Sequence, residues 1–286
     1  MVPRSTIRIG VSGWRYAPWR GTFYPKDLPQ RAELDYAAHC FPSVEINGSF
    51  YSLQSPRSWR AWYEATPEDF MFAVKGPRYI THMLRLKNIE KPLANFFASG
   101  LFRLGEKLGP ILWQFPPNFT FEPERFVGFL GLLPRDLEEA AALARGREAF
   151  MRGRVALSIG ANQVLRHAVE VRHESFIDPR FVRLRRNHNV ALVIAETARR
   201  WPMLQDVTAD FVYLRLHGDK KLYRSGYGDK ALARWADRII ALSGGVEPTD
   251  ATKADPRSKP VDAKTLMDKL GVRWPAKSIA CPAAAA

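Results

Sequence analysis

The sequence predicts an α/β fold built as one β/α barrel, and three observations carry that prediction. Apolar, strand-like runs alternate with helical stretches along most of the chain, which argues for parallel pairing through right-handed crossovers. Seven of those runs end in a polar or charged residue: Ser12, Glu45 with Asn47, Lys75, Gln114, Glu170 with Arg172, Glu196, and Arg215 with His217. Barrels of this architecture carry their chemistry at the C-terminal strand ends. A chain of 286 residues, 46% hydrophobic, is also long enough to bury one such barrel, which takes about 250 residues.

Residues 7–11 predict the first strand. Gly13, Trp14, Pro18, Trp19, Gly21 and Pro25 then form a long aromatic loop of a kind that covers a barrel mouth. A helix follows over 33–39, a strand over 44–46, a helix over 58–65 and a strand over 70–74. The spacing of Leu93, Phe96, Phe97, Leu101, Leu104 and Leu108 gives one apolar helical face from Pro92 to Leu108. Pro110 leads into a strand over 111–115. A helix is expected over 122–132, and a polar helical excursion over 136–154 reads as an inserted segment. Strand 168–171, helix 179–187, strands 190–195 and 211–216 and helix 230–242 complete the regular part. Residues 1–240 thus form one domain, and 241–286, rich in Gly, Pro, Asp, Lys and Ala, reads as a poorly ordered tail with a short helix near 263–270.

Strand parity separates a barrel from an open sheet, because alternate residues face opposite sides. Ala168, Glu170 and Arg172 oppose Val169 and Val171; Glu45 and Asn47 oppose Val44 and Ile46; Gly10 and Ser12 oppose Ile9 and Val11. Small and charged residues on one face, with large aliphatics on the other, suit a narrow polar interior surrounded by helices. Glu196 breaks the pattern, since it shares parity with Leu192 and Ile194. Either a bulge or an outward Glu196 follows.

The 43 Lys and Arg against 29 Asp and Glu leave a net charge of +14, which favours anionic small molecules or nucleic acid, although the Arg residues are scattered rather than gathered in one block. Cys40 and Cys281 stand far apart, so a disulfide framework or a Cys-based zinc site is not indicated and a reducing cytoplasm fits. The first six residues lack the apolar core of a signal peptide, and no apolar run approaches the roughly 20 residues that cross a bilayer. A soluble, cytoplasmic protein is expected.

The stretches Val44-Glu45-Ile46-Asn47 with Phe50-Tyr51, Phe72-Ala73-Val74-Lys75, Leu112-Trp113-Gln114-Phe115-Pro116-Pro117, Glu170-Val171-Arg172-His173 and Leu214-Arg215-Leu216-His217-Gly218 resemble the YecE-like family, also called domain of unknown function 72, over about residues 7–240. The resemblance implies a TIM-like β/α barrel with these residues around one pocket, and no particular reaction. Two departures stand out: Glu196 occupies a place where the family would have Asp, and the family's last strand is missing. Pro260-Val261-Asp262-Ala263 passes straight into the segment that resembles the final helix. Seven strands with the eighth absent leave an open seam, which invites self-association, and make a truncated, inactive family member an alternative.

At the predicted mouth, Glu170, Glu45 and His217 are the candidate catalytic residues. Lys75, Gln114, Arg172, Arg215, Asn47, Tyr51, Trp14, Tyr223 and Tyr227 are the candidate substrate contacts. A hydrolase or lyase acting on a phosphorylated, carboxylated or nucleic-acid substrate would use a carboxylate as acid or base and the cations as an anion cradle. Its pocket should be open, and carboxylates sealed beneath side chains would count against it. Alternatively, Glu45, Glu170 and Glu196 balance Lys75, Arg172 and Arg215 in a buried ion-pair network that fixes barrel register. A non-catalytic nucleic-acid binder, using loop aromatics and net charge, is the other class. A divalent metal is opposed by the three cations and by the lack of paired spacing such as HxxxH. No other cofactor is indicated. The Gly-bearing loop 218–228 is either a phosphate loop or a basic surface loop.

Overall fold

The computed structural model describes residues 6–248 and 250–256, in which seven strands form one parallel sheet in chain order. They are β1 (Gly10–Ser12), β2 (Ser43–Ile46), β3 (Met71–Lys75), β4 (Leu108–Gln114), β5 (His167–Glu170), β6 (Val190–Glu196) and β7 (Tyr213–Leu216). Each pairs with its neighbours in sequence, and among the described residues no backbone pairing joins β7 to β1. The sheet nevertheless curls into a half-barrel, because side chains of β7 reach back to the other edge: Tyr213 touches Glu45 on β2, and Arg215 approaches Ser12 on β1. Residues 260–263, and the short helix expected at 263–270, lie outside the described residues.

Helices α1 (Glu33–Cys40), α2 (Gly48–Tyr51), α3 (Pro56–Glu64), α4 (Glu90–Ala98), α5 (Pro123–Leu132), α6 (Leu137–Arg145), α7 (Pro179–His188) and α8 (Asp229–Ser243) occupy the connections. Local chemistry sets their starts. Ser55, Asp136 and Asp178 accept hydrogen bonds from the amides of Ser58, Glu139 and Arg180, and Pro follows directly at α3 and α7. Such a cap contributes about 1 kcal/mol. Asn189 in a left-handed conformation ends α7.

The apolar core divides as parity requires. The larger cluster joins Val44, Ile46, Phe72, Val74, Ile111, Trp113, Val169 and Leu192 from the strands to Leu34, Trp59, Leu93, Phe126 and Phe181 from the helices. A separate, smaller cluster fills the sheet's concave side with Leu112, Ala168, Ala191, Val193, Ala195 and Ala209. Alanine dominates there because the curled sheet leaves little room, and that leaves space for charged groups at its end. Trp113 belongs to the outer layer: it is fully buried, and its indole donates to His167 Nδ1 at 3.2 Å. Burial pushes the His167 pKa down to about 4, so a neutral ring donates Nε2–H to Pro134 O. Truncating Trp113 to Ala would cost about 3–5 kcal/mol.

Two expected segments differ. The single helix over 92–108 ends instead at Ala98, because Gly100 adopts φ +103 and the chain continues in 3-10 turns over Leu101–Lys107. A side chain at Gly100 would also meet the Pro56 backbone at 2.7 Å. Those turns keep Leu101, Phe102 and Leu104 buried, so the apolar spacing imitated an unbroken helix. The excursion over 136–154 contains α6, which buries Leu137, Ala140, Ala141 and Ala144. It is part of the outer layer rather than a polar appendage.

Beyond α8, residues 250–256 pack on the loop between β6 and β7. Thr252 O accepts from the Gln205 amide at 2.9 Å, and the Asp206 carboxylate accepts from the amides of Ala254 and Asp255. This stretch was expected to be poorly ordered; its backbone groups are satisfied by a buried carboxylate instead.

Candidate functional site

Parity and strand termination place Ser12, Glu45, Lys75, Gln114, Glu170 and Arg215 on the concave side of the sheet at its C-terminal end. All but Ser12 are buried. Arg215 holds the group together. One guanidinium nitrogen, Nη2, donates to Glu45 Oε1 at 2.8 Å, and Nη1 pairs with Glu170 Oε2. Arg172 adds a bond from Nε to Glu170 Oε1 at 2.8 Å. Glu45 is completed by the Ser12 hydroxyl at Oε1 and the Tyr213 hydroxyl at Oε2, both at 2.8 Å, while Asn47 Nδ2 donates to Ser12 Oγ.

These contacts decide the protonation of the carboxyls. Burial raises the Glu45 pKa, but Arg215, Lys75, Tyr213 and Ser12 outweigh it and hold the group below the ordinary carboxylate range. Burial also raises Glu170, and Arg215, His217 and Arg172 reverse that, bringing it well below. Arg215 in turn is raised against the effect of its own burial by Glu45 and Glu170. Both carboxylates are ionised at neutral pH, with their oxygens engaged. Such groups are poor proton donors and lack a free lone pair for abstracting a proton.

Lys75 is the exception in this company. Its ammonium, 8% exposed, lies 4.3 Å from the centroid of the Phe50 ring, and among the described residues no carboxylate comes within ion-pair distance of it. Burial and then Arg215 lower its pKa to about 8, against the opposing pull of Glu45 and Glu170. His82 packs edge-on against Phe50, and burial followed by Lys75 and Arg172 pushes its pKa down to about 4. His217 Nε2 is buried without a hydrogen-bond partner, 4.0 Å from Glu170 Oε2.

Glu196 faces away from this cluster. Its Oε2 accepts from Trp235 Nε1 of α8 at 2.6 Å, the outward alternative that its parity allowed. The expected balance of three acids and three bases therefore does not exist: Glu45 and Glu170 face Lys75, Arg172 and Arg215, which leaves one positive charge in excess.

The candidate contacts scatter. Tyr223 accepts from Arg172 Nη2 at 3.1 Å and packs against His217. Tyr227 accepts from the Gly218 amide at 3.0 Å. Gln114 pairs in register with Glu170. Tyr51 is 70% exposed beside Arg78, on the rim of a separate cleft with Phe50, Tyr79 and Phe150. Trp14, expected as an exposed loop ring, is buried instead, packed edge-on against Trp62. In loop 218–228, Ser225 Oγ accepts from the amides of Lys220 and Lys221, so those amides are not free to cradle a phosphate.

Sequence reasoning missed three participants. Tyr213 shares parity with Arg215, a signal that was present. His82 and the Arg199-Arg200-Trp201 stretch carried none. The latter joins Arg172, His173 and Glu174 around an open cavity of about 610 Å³, with the Arg172 guanidinium 4.1 Å over the Trp201 ring. Ala198 and Arg199 turn into this cavity's wall with left-handed φ of 49° and 61°. Among the described residues no group of three His, Cys, Asp or Glu is placed to hold a metal, and no helix is long and apolar enough to cross a membrane.

Known proteins share both sequence and fold with this chain. UPF0759 protein YunF of Bacillus subtilis is 32% identical over 123 residues, 41% of this chain and 43% of that protein, so the match spans less than half of YunF. UPF0759 protein YecE of Escherichia coli O157:H7 is 27% identical over 222 residues, 74% of each chain. The crystal structure of a DUF72 family protein from Thermotoga maritima MSB8 superposes with a TM-score of 0.64 at 26% identity, covering 84% of this chain and 88% of the other. A DUF72 family protein from Enterococcus faecalis V583, 17% identical, has the same fold, with a TM-score of 0.59 over 93% of this chain and 98% of its own. The family model described as "Protein of unknown function DUF72" matches residues 8–284, and the chain belongs to that family.

Proposed function

We propose that the half-barrel mouth binds a small anion, a phosphate or carboxylate group, and that Lys75 and Arg172 are its primary contacts. The observation that supports this is the excess of one buried cation. Outward Glu196 leaves Lys75 without a carboxylate partner, and an unpaired buried ammonium is costly unless an anion compensates it. Arg172 presents a planar fork suited to bidentate oxyanions, and it borders the cavity lined by Arg199 and Arg200. Acid–base hydrolysis or elimination through Glu170 or Glu45 fits poorly, because both are ionised and sealed by Arg215. His217, with a free buried nitrogen, is the better proton carrier in this mouth.

Titration calorimetry with glycerol 3-phosphate at low salt tests the reading. Binding should weaken by about tenfold or more, 1.4 kcal/mol, in Lys75→Met and Arg172→Met. Unchanged binding in both variants, or none in the parent protein, overturns it. A second reading rests on Trp201, whose ring lies among three arginines at an open cavity and could stack a base. A single-stranded oligonucleotide is its probe, and binding should fall steeply with log salt.

A further inference from the structure

We infer that Lys75 is a covalent site: its amine condenses with the carbonyl of an aldehyde or ketone that also carries a phosphate or carboxylate. The inference rests on the anion reading above and goes beyond it, since it names both the substrate class and the reacting atom.

The geometry sets Lys75 apart from every other described cation of the mouth. Arg172 and Arg215 are tied to carboxylates, whereas Lys75 Nζ has an aromatic face on one side and no acceptor among the described residues. It stands at the last position of β3, where side chains of a parallel barrel meet substrate. The chain just beyond it runs through a π-helical turn, Tyr79–Met83, a form enriched at functional sites. A nearby cation and a desolvating pocket are the two means by which proteins keep a lysine nucleophilic, and Lys75 has both. Arg215 shares its interior, and Phe50 shields it. Its residual exposure gives access, and Phe50 also lines the neighbouring cleft of about 330 Å³.

The step balances without a redox partner. The neutral amine adds its lone pair to the carbonyl carbon, forming the C–N bond, and the carbonyl oxygen gains a proton to become a hydroxyl. Loss of that hydroxyl as water leaves a protonated imine. The net change converts one ammonium and one carbonyl into one iminium and one water, so the positive charge stays where the anion of the substrate compensates it. Arg172, two residues beyond the end of β5, is placed to hold that anion.

A matched pair of probes separates this inference from the anion reading. Dihydroxyacetone phosphate has the carbonyl, and glycerol 3-phosphate lacks it. The full chain is incubated with dihydroxyacetone phosphate and cyanoborohydride near pH 8, and the reduced adduct is located by peptide mapping. An adduct at Lys75 forming at least about tenfold faster than at exposed Lys26 and Lys230 supports the inference, since the neutral fraction of an amine of pKa about 8 exceeds that of an ordinary lysine on the order of a hundred-fold. Excess glycerol 3-phosphate should suppress labelling at Lys75 and leave the surface lysines unaffected. Labelling confined to surface lysines, while glycerol 3-phosphate still binds, overturns the covalent role and leaves anion binding standing. If neither occurs, both fall. The mapping is read on the parent protein, so it does not depend on a variant folding. Lys75→Arg, which keeps the charge but cannot form the imine, should abolish that adduct while retaining phosphate binding.

Discussion

The hydroxyl of Tyr213 on the last described strand donates to Glu45 Oε2 of the second strand at 2.8 Å, across an edge that has no backbone pairing among the described residues. Side chains rather than a backbone ladder therefore draw the two edges of the half-barrel together, and both partners are buried. Tyr213→Phe removes one hydrogen bond to a charged acceptor and leaves the ring in place. The expected cost is about 1.5–3 kcal/mol, read as a lower urea midpoint with an unchanged slope. An unchanged midpoint would show that the edges are held by something else.

Arg215 bonds two carboxylates that would otherwise repel each other. Arg215→Met should destabilise by about 3–5 kcal/mol, because it leaves buried charge uncompensated. Adding Glu170→Gln should recover part of that loss, so the double variant should be more stable than the sum of the single effects. Strict additivity in urea unfolding would mean that the pair is not coupled.

The same carboxylates set the acid limit. Both have folded pKa values below 4.5, so the stability they contribute is complete above the unfolded value near 4.5 and is lost as pH falls from there through the folded values. Between about pH 4.5 and 2 the unfolding free energy should drop more steeply in the parent protein than in a Glu45→Gln, Glu170→Gln variant. Parallel pH profiles from chemical denaturation would contradict the assignment.

How much of this was legible beforehand depended on range. Parity within one strand needs only neighbours, so the interior placement of Glu45, Glu170 and Arg172 and the irregularity of Glu196 could be read directly. The resolution of that irregularity could not, because Trp235 lies 39 residues away on another helix. Trp14 misled for the same reason: a ring in a Gly- and Pro-rich loop looks exposed until Trp62 is brought against it. The break after Ala98 was hidden because the 3-10 turns present the same apolar residues to the core. His82 carried no local signal at all, since its environment comes from Phe50 and from cations on other strands. The described part of the tail looked unstructured because its partners are backbone amides, which composition does not report.

Glu196 offers a control. Trp235→Phe removes its donor at the outer layer and should cost about 1 kcal/mol, while glycerol 3-phosphate binding stays within error of the parent. A loss of binding comparable to that of Arg172→Met would place Glu196 in the mouth after all.

Lys75 makes the opposite prediction for stability. Its pKa is depressed in the folded state, from 10.5 to about 8, so the folded protein holds this proton less tightly than the unfolded chain. Below about pH 8 the lysine is charged in both states, and its full desolvation cost is carried by the fold; from pH 8 to 10.5 the folded form releases the proton first and the cost is relieved. Lys75→Met should therefore stabilise the protein at pH 7 by up to about 3 kcal/mol. The gap between variant and parent should narrow steadily above pH 8, and comparing the two at each pH cancels the tyrosines that titrate in the same range. Stabilisation accompanied by loss of anion binding is the signature of a residue kept for what it binds. A variant less stable than the parent at pH 7 would mean that the ammonium has a native partner that compensates its charge, and would remove the basis for treating Lys75 as the unpaired cation of the mouth.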